Sequence, residues 1–316
     1  MSPAVLTFGE ALVGYGSTEP SLPSASAFTR FLGGAELNVA VALARLGVSA
    51  GWAGVVGDDA HGAYVRDTVT QLGITAQLRQ APGHTAIMFK AGGSGTDPEV
   101  LQLRRDSAFA RHADDLLAEL LPLTGRRHLH LTGIPLGVSV AARRTTTALL
   151  AAARDAGLTT SFDPNLRLNL FPDATAMRDT VNAVASACTI VLPGLAEGRT
   201  LTGCQAPADI ARHYLLAGAQ EVVVKLGAPG AVAFTQDASA HSKRFAVEAV
   251  DTVGAGDGFA AGYLAAKLAG AKLQERVDQA AAVGALVTTR HGDLAAMPTA
   301  EELSAFRREA ELSRLP

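Results

Sequence analysis

The stretch whose reading decides the fold is Asp251-Thr252-Val253-Gly254-Ala255-Gly256-Asp257-Gly258-Phe259, which runs into a small-residue segment ending near residue 269. Three glycines within five positions open what the spacing predicts to be a helix over about 258–269. Glycine lets backbone N–H groups approach a ligand closely, and a helix N-terminus carries positive partial charge. Such a turn suits negative charge developing on phosphate. Asp257 would repel an anion that was merely bound. It makes sense if it receives the proton of a hydroxyl attacking the phosphate. The same residues also read as a Gly-rich turn with an aspartate N-cap, and spacing alone leaves both readings open. Neither GxxxxGK[ST] nor a GxGxxG after a first strand occurs, so a phosphate-handling enzyme here needs another architecture.

Working outward, short β-branched or apolar runs at 4–8, 50–56, 128–131, 159–162, 190–192, 221–226 and 231–234 read as strands. Ala/Leu-rich stretches at 36–46, 60–72, 141–156, 177–185 and 207–217 have helical spacing, and a last helix is predicted at 273–290. Strand, helix, strand with short Gly-marked turns is the pattern of βαβ units, so the class is α/β with a mostly parallel sheet covered on both faces. Residues 12–32 and 84–107 break that rhythm. They are rich in Gly, Ser, Thr and Pro, and 85–90 and 100–104 alternate as half-solvated strands do. These discontinuous segments are expected to form a small lid over the carboxyl end of the sheet; ordinary surface hairpins are the alternative. The expected organisation is one domain over 1–316.

Composition narrows the function classes. In 316 residues, Lys+Arg 27 against Asp+Glu 30 gives a formal charge of −3, which argues against an electrostatically driven nucleic-acid binder. Cys188 and Cys204 cannot make a disulfide framework, and no CxxC occurs for zinc. The N-terminus lacks the basic and apolar regions of a signal peptide, and no apolar run is long enough to span a membrane. A cytoplasmic protein is expected, with no nucleic-acid or membrane partner. His128 and His130 share one strand face without a third ligand in view, so no metal site is expected there.

Residues 251–257 resemble the DTxGAGD signature of the ribokinase/PfkB family of carbohydrate kinases. A second signature lies near the N-terminus in Gly33-Gly34-Ala35-Glu36-Leu37-Asn38-Val39-Ala40, with Gly47 and Gly57 at matching spacing. The two motifs, in order and joined by the α/β rhythm, span nearly the whole chain. The resemblance implies a ribokinase-like three-layer fold and phosphorylation of a sugar hydroxyl by Mg-ATP. It makes Asp257 the catalytic base and Gly254, Ala255 and Gly256 the anion hole. Phosphoryl transfer needs positioning and charge neutralisation more than covalent chemistry, which such a turn can supply. Glu197 in Pro193-Gly194-Leu195-Ala196-Glu197 matches the family's NxxE glutamate, implied to organise magnesium through water, although Gly194 replaces the Asn. Lys225, Gly227, Gly230 and Thr252 become nucleotide-site candidates. Ala281 stands where the family has an Asn beside the adenine. Asp251 and Val253, with the 288–296 loop, match where many members hold potassium.

The resemblance also implies that Gly33, Gly34 and Asn38 sit under the sugar. Two arginines then discriminate among sugars. Arg167 ends Asp163-Pro164-Asn165-Leu166-Arg167, similar to the family's D-x-N-x-R, and Arg104 is similar to the lid-side arginine of 2-keto-3-deoxygluconate kinases. Guanidinium forks bind carboxylates bidentately, so two in one pocket suggest a sugar acid. Met88 and Gln102 stand where that subgroup usually has tyrosines. A kinase for fructose, ribose, another neutral sugar or a nucleoside remains an alternative, as does a sugar-binding regulator without catalysis. A homodimer through the lid is expected, because open strand edges invite pairing.

Overall fold

The computed structural model describes residues 2–92 and 99–312. Its strands, in chain order, are β1 (Val5–Phe8), β2 (Leu12–Ser17), β3 (Thr29–Gly33), β4 (Ala50–Gly57) and β5 (Thr75–Ala81). They continue with β6 (Ala86–Ala91), β7 (Glu99–Leu103), β8 (His128–Thr132) and β9 (Thr159–Asp163). The last four are β10 (Ile190–Val191), β11 (Glu221–Gly227), β12 (Gly230–Phe234) and β13 (Ser239–His241).

Nine strands form one sheet in the order β13-β12-β11-β10-β9-β8-β1-β4-β5. It is parallel from β5 to β11, and β12 and β13 add antiparallel at one edge. Strand β4 shows why the class was legible: AGWAGVVG is apolar throughout and buried at every position, as a strand covered on both faces must be. Trp52 packs with Leu37, Tyr263 and Val283 on one face. Phe8, Phe109, Leu129 and Phe162 fill the other. Fully burying one such side chain contributes about 1.5–3 kcal/mol.

The same sheet holds two histidines in its centre, each bonded to at least one hydroxyl, while His130 Nε2 has no partner among the described residues. On β8, His128 lies 2.7 Å from both the Thr159 and the Ser161 hydroxyls, and His130 Nδ1 lies 2.7 Å from Ser161 Oγ. Burial drives both imidazoles down to about 3, so they stay neutral.

The second sheet has four strands in the order β3-β2-β6-β7. Its outer pairs are antiparallel, while β2 and β6 run parallel. It is built from the two segments set aside as a lid, and residues 93–98 of the second lie outside the described residues. Two strands escaped the sequence reading. Strand β5 is an edge strand of mixed polarity with no buried face until Ala81, and β13 has three residues. The helices Ala108–His112 and Ala300–Leu312 were also unanticipated.

Candidate active site

In open α/β sheets, ligands bind outside the carboxyl ends of the strands. Asp163 ends β9, Lys225 lies near the end of β11, and Glu10 follows β1; these ends meet the lid strands β2, β6 and β7. Between them lies a cavity of about 390 Å³ lined from the body by Gly34, Asn38, Asp163, Arg167, Glu197, Lys225, Gly254, Gly256, Asp257 and Asp293, and from the lid side by Leu12, Met88, Gln102 and Arg104.

The phosphate turn is shaped by one backbone angle. Gly254 caps the helix Ala255–Leu268 with φ +78°, a left-handed conformation, and a Cβ there would also meet Met297 Cε at 3.1 Å. Two positions on, a Cβ at Gly256 would find only Lys225 Nζ, at 3.6 Å, so that glycine leaves an open cradle facing an ammonium. The first N–H groups of a helix have no partner within it and carry the dipole's positive end. Cradle, ammonium and helix end together make a site for an anion.

Asp257, in the first turn of that helix, is 8% exposed, and Asn38 Nδ2 donates to its Oδ2 over 2.8 Å. Asn38 comes from the helix Ala35–Arg45, whose N-cap Gly34 has φ +135°; a Cβ at Gly34 would sit 2.5 Å from the Glu10 carbonyl oxygen. Burial pushes the Asp257 carboxyl up to about 8, with Asp163, Asp293 and Glu36 adding repulsion and the Asn38 bond opposing it. A carboxylate tuned near neutrality, aimed into a cavity, fits general-base chemistry.

Lys225 pairs with Asp163 at 2.5 Å. Burial alone would lower its pKa, but the Asp163 and Glu197 carboxylates hold it raised, so it stays cationic. Glu197 does two things at once. Its Oε2 accepts from Gly194 N (2.7 Å), which caps its own helix, and its Oε1 accepts from Leu166 N (2.8 Å), which fixes the loop carrying Arg167. Arg167 itself is exposed, with NH1 donating to the Leu166 carbonyl. Arg104 is buried at 3% and paired through Nε and NH2 with Glu10 at 2.8 Å, while NH1 reaches Gln102 Oε1 at 3.4 Å. Ser107 also donates to Glu10.

Of the residues singled out in the sequence, the cavity gathers Gly34, Asn38, Arg104, Arg167, Glu197, Lys225, Thr252, Val253, Gly254, Gly256 and Asp257. Ala255 follows the capping glycine in the same turn. Gly33 lies outside the lining, against the Asp293 carboxylate. Gly227 and Gly230 form the tight turn between β11 and β12, with φ +75° and +101°, and also lie outside it. Ala281 is buried in the core. At the position expected for potassium, Asp251 Oδ2 is held by Lys90 Nζ at 3.0 Å, and its Oδ1 accepts from Val253 N at 3.0 Å. Both carboxylate oxygens are engaged.

Sequence reasoning missed Asp293, Lys90 and Glu10. Asp293 is 4% exposed, its Oδ1 has no partner among the described residues, and burial raises its carboxyl to about 6 against the lowering effect of Lys90. Its only signal was an acid directly after Gly292; a lysine ending an alternating strand was the corresponding signal for Lys90.

The pfkB family carbohydrate kinase profile matches residues 3–300. The chain therefore belongs to the pfkB family of carbohydrate kinases. Within it, the chain is 37% identical over 309 residues to 2-dehydro-3-deoxygluconokinase of Bacillus subtilis, covering 95% of this chain and 94% of that one. An E. coli protein provisionally named ribokinase II, solved with ATP and Mg2+, superimposes with a TM-score of 0.87 at 25% identity, covering 98% of this chain and 100% of the other. A fructokinase variant from Vibrio cholerae, solved with fructose, ADP and potassium, gives 0.83 at 27%, covering 97% and 99%.

Proposed function

We propose that this carbohydrate kinase transfers the γ-phosphoryl group of Mg-ATP to a hydroxyl of a sugar acid, 2-keto-3-deoxygluconate, with Asp257 as general base. The observation that carries the reading is that Arg104 and Arg167 line the cavity that also holds Asp257. A sugar seated above Gly34 and Asn38 brings its hydroxyl to Asp257. The O–H bond breaks toward the Asp257 carboxylate as the new O–P bond forms and the bond from the γ-phosphorus to the bridging oxygen breaks, releasing ADP. Gly254, Ala255 and Gly256 offer backbone N–H groups, and Lys225 a fixed ammonium, to the charge on the phosphoryl oxygens. Arg167, exposed and bonded through NH1 to the Leu166 carbonyl, has its remaining N–H groups for the sugar's carboxylate, and Arg104 is held in orientation by Glu10.

Magnesium would neutralise the triphosphate and orient it. Glu197 and Asp163 line the cavity wall, and because both Glu197 oxygens already accept backbone N–H bonds, Glu197 would meet the ion through water, as suits an ion that commonly keeps most of its waters. The 37% relative supports the acid-sugar reading, and the arginines supply its physical reason. Consumption of ATP supports a cytoplasmic location, and no described helix is long and apolar enough to cross a membrane.

The test is ADP release with Mg-ATP against 2-keto-3-deoxygluconate, fructose, ribose, tagatose and adenosine. The reading expects selective turnover of the keto-acid. Turnover confined to a neutral sugar would discard the acid-sugar assignment, and turnover of none would favour a pocket that binds without reacting. A second copy of the chain is proposed to pair through β7, the open edge of the lid, where Val100, Leu101 and Leu103 are each nearly half exposed. Light scattering reporting a monomer would exclude it.

A further inference from the structure

Among the described residues, Lys90 is the one lid side chain of this site that reaches the start of the phosphate turn through an ion pair. It lies two residues beyond Met88 on β6, so the two side chains leave the same face of the strand, Met88 over the cavity and Lys90 beside it. Its Nζ sits 3.0 Å from Asp251 Oδ2 and 5.3 Å from the ring centroid of Phe31, with both partners of the ion pair less than one-fifth exposed. Its charge is also felt at Asp293, on the other side of the turn. Asp251 in turn fixes Val253 N–H, immediately before Gly254. A cation bound at Asp251 would have to displace an ammonium that is covalently tethered to the chain.

We propose that Lys90 takes the place of a monovalent cation in this kinase: it is a positioning residue that holds Asp251, and through it the Gly254–Gly256 turn, so that turnover is independent of potassium. The proposal rests on the chain being a kinase but not on which sugar it uses. Two like charges cannot share the Asp251 oxygens cheaply in a partly buried site, and an ammonium matches potassium in charge. What differs is that the tethered charge costs no ion binding and is present at every ionic composition.

The test uses the full chain in potassium-free tetramethylammonium buffer, with Mg-ATP and whichever sugar the wild type turns over. Potassium is expected to change wild-type kcat by less than about twofold, well under the 10²–10³ lost when a donor touching the transition state is removed. Lys90→Met is expected to lose roughly tenfold or more in kcat without potassium. Potassium should restore most of that loss, and tetramethylammonium none. Lys90→Arg, which keeps the charge, should need no potassium. A second readout needs no turnover: the thermal midpoint of Lys90→Met should rise with potassium chloride beyond any rise in tetramethylammonium chloride, while the wild type responds equally to both salts. Strong potassium activation or potassium-specific stabilisation of the wild type would overturn the proposal. So would full potassium-free activity in Lys90→Met, or a folded Lys90→Met that no monovalent cation rescues or stabilises. If no sugar is turned over, the kinase reading fails first, and the thermal arm still decides the role of Lys90.

Discussion

Asn38 donates from Nδ2 to Oδ2 of Asp257 over 2.8 Å, across 219 positions of sequence. That bond joins the two glycine-marked turns, because Asn38 lies one turn into the helix capped by Gly34 and Asp257 in the first turn of the helix capped by Gly254. It orients the carboxylate and leaves the other oxygen for a substrate hydroxyl.

If Asp257 accepts the substrate proton, Asp257→Asn removes the base and little else. Turnover should fall by roughly 10²–10⁴-fold, the usual contribution of a positioned base. ATP affinity, measured by titration calorimetry, should stay within a few-fold. Near-normal kcat would remove the assigned role.

The raised carboxyl has a sign that can be checked. Since burial lifts Asp257 to about 8 in the folded chain, kcat/KM for the sugar should climb with pH through that region as the base ionises. Asp293→Asn removes a neighbouring negative charge, so the rising limb should move to lower pH. A limb that stays in place would deny the coupling.

The same shift makes Asp257 costly for folding. Its folded-state value lies above the ordinary 3.8, so the favourable contribution is complete below about 3.8 and is lost as pH rises through about 8. Asp257→Asn should therefore raise the thermal midpoint at pH 8 and change it little at pH 4. A destabilised variant at pH 8 would contradict this.

Arg167 separates acid from neutral sugars. Charged hydrogen bonds contribute about 1.5–3 kcal/mol, so Arg167→Ala should raise KM for the keto-acid roughly 10- to 150-fold and for fructose far less. Equal effects would argue against carboxylate binding. Arg104→Ala would be a poorer probe, because it leaves Glu10 buried without its partner.

Gly254 tests the turn itself. Gly254→Ala places a Cβ at φ +78° and 3.1 Å from Met297, which should cost about 1–2 kcal/mol in stability and misplace the anion-binding N–H groups. Loss of kcat together with a lowered thermal midpoint is the expected pair of results; an unaffected kcat would show that the turn tolerates the side chain.

Much of this architecture was legible locally. The strands β1, β4 and β11 are largely apolar runs with buried faces, and β6 begins with the alternation of a half-solvated sheet, whereas β7 exposes Val100, Leu101 and Leu103 alike. Strand β5 was not legible, because its stability comes from its register along β4 rather than from its own mixed sequence. The site divides the same way. Asp257 and Gly254 announce themselves by spacing within one turn. Lys90 and Asp251 are 161 residues apart, and Glu10 and Arg104 are 94 apart. Nothing short of the topology brings those charges together. Arg104, which could have been a solvated surface arginine beside Arg105, is buried because Glu10 and Ser107 wait for it under the lid.

The central claim is that Arg167, beside an Arg104 fixed by Glu10, selects a sugar acid for phosphorylation at Asp257. It is tested most directly by the ratio of kcat/KM for 2-keto-3-deoxygluconate to that for fructose, measured by ADP release at saturating Mg-ATP. A ratio of at least about 10²-fold in favour of the keto-acid is expected from one well-made charged contact. A ratio at or below one would contradict the account and leave a neutral-sugar kinase in its place.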